Sequence, residues 1–197
     1  MDNTIEYYNN NASEFIESTV HADVSELRRK FEKYLPEGGS ILDFGCGSGR
    51  DTLAFLKDGY KVEAIDGSEE LCKYASKLTG INVQCQYFED FSEVEKYDGI
   101  WACSSILHLK KDNLKKVIEN MMIALKPDGV IYLSFKYGTF EGIRNGRYFT
   151  DLTEQELQRI LYELPNAESL QILDQWISSD VRRGRDEQKW LNVIYRK

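Results

Sequence analysis

The sequence is poor in the side chains that build structural metal sites. It has only two histidines, His21 and His108, in 197 residues, and its four cysteines form no C-x-x-C pair. The usual zinc-ligand spacings therefore cannot be assembled, and we expect no metal site. We expect the cysteines to remain thiols that pack as small apolar residues in a reducing compartment. They are Cys46, Cys72, Cys85 and Cys103.

Positive charge and long apolar runs are also scarce. Lys and Arg number 25 against 33 Asp and Glu, which gives a net charge of −8. Nucleic-acid binders depend on clustered Lys and Arg, so this balance argues against a nucleic-acid partner. No apolar run approaches the ~18 residues of a membrane-spanning helix, and the first residues lack the basic and apolar regions of a secretory signal. We therefore expect a cytoplasmic protein with no membrane partner; the oligomeric state stays open.

Short apolar runs alternate with helical patterns from residue 41 onward. This alternation predicts an α/β fold, Rossmann-like and doubly wound, with a mostly parallel sheet covered by helices on both faces. The predicted strands are 41–45, 61–66, 83–88, 97–104 and 130–137. The predicted helices between them are 51–57, 69–78, 92–96 and 112–125, and a turn is predicted at 126–129.

The two ends of the chain show other patterns. After the fifth strand we predict a polar loop over 138–151, a helix over 154–164, and an antiparallel pair of strands over 170–177 and 190–195 at one side of the sheet. Residues 1–35 contain two helix-like segments, too few residues to bury a core of their own. We therefore expect a single domain over residues 1–197, with an N-terminal helical cap or lid over 1–38 and a Rossmann-like core over 39–197.

A glycine-rich turn, "GCGSG" at residues 45–49, follows the first predicted strand. Glycines here let the backbone turn sharply and let a ligand approach with no Cβ in the way, while the next helix offers free N–H groups. The G-x-G-x-G spacing differs from the dinucleotide G-x-G-x-x-G, and no G-K-[ST] follows, so we expect a ligand without a pyrophosphate. Asp66 closes the second strand, where a carboxylate accepts hydrogen bonds from ribose hydroxyls. Its alternative role is to cap the next helix.

These motifs, with Asp43 in the first strand, "DGS" at 66–68 and "FEDF" at 88–91, resemble the class I S-adenosylmethionine (SAM)-dependent methyltransferases. The resemblance runs from about residue 39 to the end of the chain. It implies a seven-stranded sheet whose last strand is antiparallel, and SAM as cofactor with S-adenosylhomocysteine (SAH) as product. An acidic turn suits SAM, which carries a sulfonium and an ammonium, whereas Asp43 would repel a dinucleotide's phosphates.

The resemblance also implies roles for individual residues. Gly45, Cys46 and Gly47 lie against the methionine part of SAM, Asp43 meets its amino group, Asp66 binds the ribose beside Gly67 and Ser68, and Phe88, Glu89 and Asp90 flank the adenine. Independently of the resemblance, Arg50 either meets the SAM carboxylate, with Thr19 of the cap as a second contact, or is a solvated residue of the first helical turn. Ala102 and Cys103 end the fourth strand, at the edge of the sheet where the transferable methyl is expected.

The segment at 102–108, "ACSSILH", lacks the Asn- or Asp-Pro-Pro-aromatic tetrad of DNA adenine methyltransferases and the Pro-Cys of cytosine-C5 enzymes. It resembles the small-molecule branch. The runs "GCGSGRD", "YDGIWACSSILHL", "SFKYG" and "RGRDEQKWLNVIYRK" are similar to those of tellurite-resistance-type methyltransferases. The resemblance thus implies a small acceptor. A tRNA or protein methyltransferase and a non-catalytic SAM-binding regulator are the alternatives.

Three side chains are candidates for work on the acceptor. His108 is either a base, the obvious one near this sheet edge, or a residue that packs against the cofactor. Tyr8 lies on an apolar helical stripe that either packs or closes over the site. Arg147 lies in one of two arginine-bearing loops. The arginines of these loops form either an anion-binding rim or surface ion pairs. The other loop arginines are Arg144, Arg182, Arg183 and Arg185. If the rim forms, the acceptor is anionic.

Overall fold

The computed structural model of the chain describes residues 3–165, 170–182 and 184–197. Its strands are β1 Ser40–Phe44, β2 Lys61–Asp66, β3 Gln84–Cys85, β4 Tyr97–Ala102, β5 Leu125–Lys136, β6 Glu141–Arg144, β7 Arg147–Thr150, β8 Gln171–Ser179 and β9 Lys189–Arg196. Its α-helices are α1 Asn3–Asn10, α2 Ala12–Thr19, α3 Ser25–Glu32, α4 Arg50–Lys57, α5 Glu69–Thr79, α6 Lys111–Ala124 and α7 Glu154–Tyr162.

Seven of the strands form one sheet in the order β3-β2-β1-β4-β5-β9-β8. Strands β1 to β5 pair in parallel, whereas β9 runs antiparallel to both β5 and β8. The Rossmann-like sheet of seven strands with an antiparallel last strand is therefore confirmed. Because β1 and β4 are neighbours in the centre, the turns that follow them meet at one edge of the sheet.

Side chains of the central strands alternate between two apolar layers. Ile41 joins a cluster with Phe31 of α3 and Phe55 of α4, whereas Leu42 and its neighbours on that face pack against α6 and α7. This period of two is the pattern of a strand buried on both faces. Helices therefore cover the sheet on both sides, and the open sites lie at the ends of the strands.

The segment predicted as a polar loop over 138–151 is instead a hairpin of β6 and β7. The two strands pair antiparallel around a two-residue loop, Asn145–Gly146, in which both residues have positive φ, +52° and +77°. Asn-Gly is the preferred sequence for such a type I′ turn. The hairpin carries Arg147 to the sheet edge, so the error concerned a functional element.

Four smaller predictions about helices, strands and turns were wrong. The N-terminal region has three helices where two segments were predicted, and the third predicted strand shrinks to Gln84–Cys85. Residues 92–96 form no helix, because Glu95 and Lys96 donate their N–H groups to the carbonyls at the end of α6. The turn predicted at 126–129 lies within β5 as an irregularity in the register opposite Asp98.

The described residues contain neither a membrane-spanning helix nor a cluster of metal ligands. None of the helices over residues 3–165, 170–182 and 184–197 is long and apolar enough to cross a membrane. In the same part of the chain, no group of three or more His, Cys, Asp or Glu side chains is arranged to hold a metal ion.

Candidate active site

The glycine turn between β1 and α4 is fastened to the end of β2. Gly45 and Cys46 donate their N–H groups to the Ile65 carbonyl at 2.9 and 3.0 Å. Gly45 has a φ of +84°, and a Cβ placed on it would lie 2.4 Å from the Ser105 Cβ. Glycine is therefore required at this position for both its conformation and its small size.

Asp66 links this turn to the next one. Its Oδ2 accepts the Gly47 N–H and its Oδ1 accepts the Ser68 N–H, both at 2.9 Å. Burial raises the pKa of Asp66, while these N–H donors oppose the shift. Both the ribose role and the capping role therefore remain compatible with its position, since each carboxylate oxygen can accept a second hydrogen bond.

Asp43 lies buried beneath the glycine turn. Its Oδ2 accepts the Thr52 hydroxyl at 2.6 Å. Burial, and then the negative charge of Asp51, raise the pKa of Asp43 to about 7, against the opposing effect of the Thr52 hydrogen bond. A cation placed beside this carboxyl would favour its ionised form.

Arg50 is engaged within the protein. Its guanidinium contacts both carboxylate oxygens of Asp51, at 2.9 and 2.7 Å, and lies 3.4 Å from the Thr19 carbonyl. Burial alone would raise the pKa of Asp51, but Arg50 holds it below its usual value, helped by the Trp101 indole N–H at 3.0 Å. The Thr19 hydroxyl donates to the Phe15 carbonyl. A first cavity lies against the glycine turn, and Arg50 and Thr19 both line it. These two residues therefore stay candidates for binding the SAM carboxylate.

Two of the predicted site residues are free cysteines at this cavity. Cys46 and Cys103 both line it. Burial raises the pKa of Cys46 well above its usual value and that of Cys103 to about 12. Both are therefore thiols at neutral pH, which agrees with a packing role and not with a nucleophilic one. Ala102 is fully buried in β4 and is not among the lining residues.

The residues predicted around the adenine line a second cavity, of about 540 Å³. The Phe88 ring stacks on Phe44 with centroids 4.6 Å apart, and Glu89 accepts a hydrogen bond from the Asn113 side chain at 3.1 Å. The remaining walls come from the Gly67 turn and from α1: Thr4, Ile5, Glu6 and Asn9. Ile5 lies directly over Gly67, where an added Cβ would approach it to 2.6 Å.

His108 lies between the two cavities and lines both. Its Nε2 is 2.8 Å from the Tyr8 hydroxyl, and its Nδ1 is 2.6 Å from the Tyr148 carbonyl oxygen. Burial, together with the positive charges of Arg147 and Lys136, lowers the pKa of His108 to about 4, although the Tyr148 carbonyl opposes the shift. The imidazole is therefore neutral at pH 7.

The loop arginines divide into paired and unpaired groups. Arg144 binds Asp151 through contacts of 2.6 and 2.8 Å, and Arg182 binds Asp180. Arg144 and Arg182 therefore form ion pairs, which is the alternative to an anion-binding rim. Arg147 instead lies in the first cavity, 3.3 Å from the Tyr8 hydroxyl, and makes no salt bridge within the described residues. Arg185 also lines that cavity, and Arg183 lies outside the described residues.

Sequence reasoning missed Lys136 and Phe149. Lys136 lines the same cavity, and its ammonium lies 4.6 Å from the centre of the Phe149 ring. Lys136 makes no salt bridge in the part of the chain that the structure describes, and burial, with Arg144 nearby, lowers its pKa. The "SFKYG" run was visible in the sequence, but the position of Phe149 depends on the hairpin, which was predicted as a loop.

A family model described as a methyltransferase domain matches residues 41–129, which include the glycine turn, Asp66 and the strand β4. The match identifies a methyltransferase domain over these residues. Among solved structures, this chain is similar to Burkholderia thailandensis 1,6-didemethyltoxoflavin-N1-methyltransferase with bound 1,6-didemethyltoxoflavin and SAH. The TM-score is 0.72 and the sequences are 24% identical, over 98% of this chain and 89% of that one.

Two curated relatives match 66% and 61% of this chain. YqeM of Bacillus subtilis (strain 168), a protein named as a methyltransferase, is 29% identical over 66% of this chain and 57% of its own length. N-terminal Xaa-Pro-Lys N-methyltransferase 1 of Danio rerio is 29% identical over 61% of this chain and 60% of its own length. The chain thus spans well under two thirds of these relatives.

The site fits SAM, the cofactor that the sequence resemblance implies. Gly45 lines the first cavity, and the buried Ser105 hydroxyl beside it has no hydrogen-bond partner among the described residues. Asp43 lines the first cavity and offers a carboxyl to an ammonium. Asp66 links the Gly47 turn, which lines the first cavity, to the Gly67 turn, which lines the second. When bound, SAM supplies an electrophilic methyl group.

Proposed function

We propose that this protein transfers the methyl group of SAM to a small anionic acceptor in the cytoplasm, with residues 1–38 as a lid over a core of residues 39–197. One observation carries the anionic acceptor. Lys136 and Arg147 line the cavity beyond the glycine turn, and neither makes a salt bridge within the described residues. Two cations without carboxylate partners are a natural site for a carboxylate or an oxyanion.

The chain's own residues supply alignment and the exclusion of water. Methyl transfer is an in-line displacement, so most of the barrier reduction comes from holding the reactants in line in a dry site. Tyr8 of α1 and Phe15 of α2 close over the cavity, and Phe15 lies 3.0 Å from where a Gly47 Cβ would be. We propose that Asp43 and Asp66 hold the donor, while Lys136 and Arg147 hold the acceptor.

The first experiment measures SAM and SAH binding by calorimetry, followed by an SAH-release screen. The acceptor panel contains small carboxylates, thiols, amines, and oxyanions including tellurite. We expect SAM binding and turnover confined to anionic acceptors. Preference for a peptide N-terminal amine would favour the protein-methyltransferase alternative. Binding without turnover across the panel would favour the non-catalytic regulator, and no binding at millimolar SAM would end the proposal.

Arg147→Ala tests the acceptor end, with Arg144→Ala as its matched control. Both arginines belong to the same hairpin and lie over aromatic rings, but Arg144 is paired with Asp151. Losing a charge-assisted contact costs about 1.5–3 kcal/mol, so Arg147→Ala should raise KM for the anionic acceptor by about 10-fold or more. The Kd for SAM should change little. Equal KM values in the two variants would contradict an anionic acceptor at this site.

A further inference from the structure

Side chains from three elements meet where the two cavities join. Tyr8 of α1 lies 2.8 Å from His108 Nε2, and Arg147 Nη1 of β7 donates to the Tyr8 oxygen at 3.3 Å. His108 Nδ1 lies 2.6 Å from the Tyr148 carbonyl oxygen. A carbonyl only accepts, so Nδ1 carries the imidazole hydrogen and Nε2 accepts the hydrogen of the Tyr8 hydroxyl.

This arrangement uses both nitrogens of His108 within the protein. No ring nitrogen is left to take a proton directly from an acceptor, as a free base would. The Tyr8 oxygen has two lone pairs, and Arg147 occupies one. The second lone pair of the Tyr8 oxygen is available to a group in the first cavity, which Tyr8 lines together with Lys136.

We propose that Tyr8 is a catalytic residue that takes a proton from the nucleophilic atom of the acceptor, and that His108 is a positioning residue that takes the Tyr8 proton in turn. This inference rests on the proposed methyl transfer and narrows its substrate class. The acceptor is a small acid whose nucleophile is a thiol, hydroxyl or amine that still carries its proton at neutral pH.

The step balances in atoms and charge. A bond forms between the nucleophile and the methyl carbon as the carbon–sulfur bond breaks, and its electron pair stays on sulfur. The proton of the nucleophile moves to Tyr8 Oη while the Tyr8 proton moves to His108 Nε2. The positive charge of the sulfonium thus ends on the imidazolium, so the closed site keeps its net charge. The imidazolium returns its proton through Tyr8 to water when the product leaves.

The groups around His108 hold its imidazole neutral before reaction. They are Tyr8 from α1, Lys136 from β5, and Arg147, the Tyr148 carbonyl and the Phe149 ring from β7. Burial and the two cations disfavour the imidazolium before reaction, so the imidazole of His108 is neutral at every pH above about 5. The histidine therefore does not limit the reaction between pH 6 and 8.

Tyr8→Phe removes the hydroxyl and keeps the ring that packs against Phe15, and Tyr7→Phe is the matched control on the same helix. The acceptors are mercaptoacetate, glycolate and glycine, each with a proton on its nucleophile, against thiosulfate, which has none. Loss of a general base costs about 10²- to 10⁴-fold, so we expect Tyr8→Phe to lower kcat at least 100-fold with the protonated acceptors while KM changes little. Tyr7→Phe should leave kcat unchanged.

Two further readouts separate catalysis from structure. In Tyr8→Phe, and in His108→Gln, the deficit in kcat should shrink as the pH approaches the pKa of the acceptor's own nucleophile. Independently of turnover, ¹⁵N NMR should show His108 neutral with its hydrogen on Nδ1 down to about pH 5. His21, the second histidine, gives the reference signal.

Some outcomes overturn this inference and leave the proposed function standing. They are turnover of thiosulfate alone with full activity in Tyr8→Phe, a deficit that is the same at every pH, or a His108 hydrogen on Nε2. Failure to bind SAM, or SAM binding with no acceptor methylated, would instead overturn the proposed function, and the inference with it.

Discussion

Gly45 shows how a single residue determines the cofactor site. Its φ of +84° and the 2.4 Å approach of an added Cβ to Ser105 act together. Gly59 isolates the first effect, because its φ is +92° but an added Cβ would meet nothing within 4 Å. The pair therefore separates backbone strain from steric exclusion at the ligand surface.

We expect Gly45→Ala to destabilise the fold by about 1–2 kcal/mol for the left-handed conformation and about 1–3 kcal/mol more for the overpacking. SAM binding should be lost, since the turn must shift. Gly59→Ala should cost only the first amount and bind SAM normally. Chemical denaturation and calorimetry measure both quantities. Normal SAM affinity in Gly45→Ala would show that the turn does not contact the cofactor.

At the scale of elements, one N-cap connects α1 to the start of α5. The Ser68 hydroxyl accepts the Leu71 N–H of α5 at 3.3 Å and donates to Asn9 Oδ1 of α1 at 2.7 Å. Thr153 caps α7 in the same way, accepting the Glu156 N–H at 3.3 Å, and within the described residues its side chain makes no hydrogen bond to α1. The two caps thus differ in what else they hold.

Ser68→Ala and Thr153→Ala should each destabilise the protein by about 1 kcal/mol, the usual loss for an N-cap. Only Ser68→Ala should also speed hydrogen exchange in α1, because the hydrogen bond to Asn9 is lost. Exchange of residues 3–10, followed by mass spectrometry, distinguishes the two. Equal exchange in both variants would mean that apolar packing alone, such as Ile5 on Gly67, holds α1 in place.

The elements that sequence predicted well are those with strong local signals. The central strands are apolar on both faces, and the glycine turn and Asp66 follow strand ends, so their meeting at one edge followed from the parallel sheet. The site's partner choices did not follow. Asp51 holds Arg50, and His108 binds Tyr8 across 100 residues of sequence, because such contacts depend on tertiary packing. The hairpin had a local signal, Asn145–Gly146, which was available in the sequence.

At the scale of the whole molecule, charge is unevenly distributed. The chain carries a net charge of −8, yet Lys136, Arg147 and the neutral His108 share one cavity. Partly buried cations next to a histidine affect folding as well as binding, because they favour its neutral form. The pKa of His108 falls from an ordinary 6.5 to about 4 in the folded protein, so the unfolded chain binds a proton more readily between these values.

The sign of the pH dependence follows from this difference. Between pH 4 and 6.5 the unfolded state holds more protons at this site, so the free energy of unfolding should rise with pH over that window and level off above it. His108→Gln removes the titrating group. The difference between the unfolding free energies at pH 7 and pH 5 should therefore be smaller in His108→Gln than in wild type, by about 2 kcal/mol. His21→Gln makes the same composition change at an exposed histidine and is the control. Urea denaturation of the three proteins at both pH values makes the comparison. An identical pH dependence in wild type and His108→Gln would show that folding does not lower the pKa of His108.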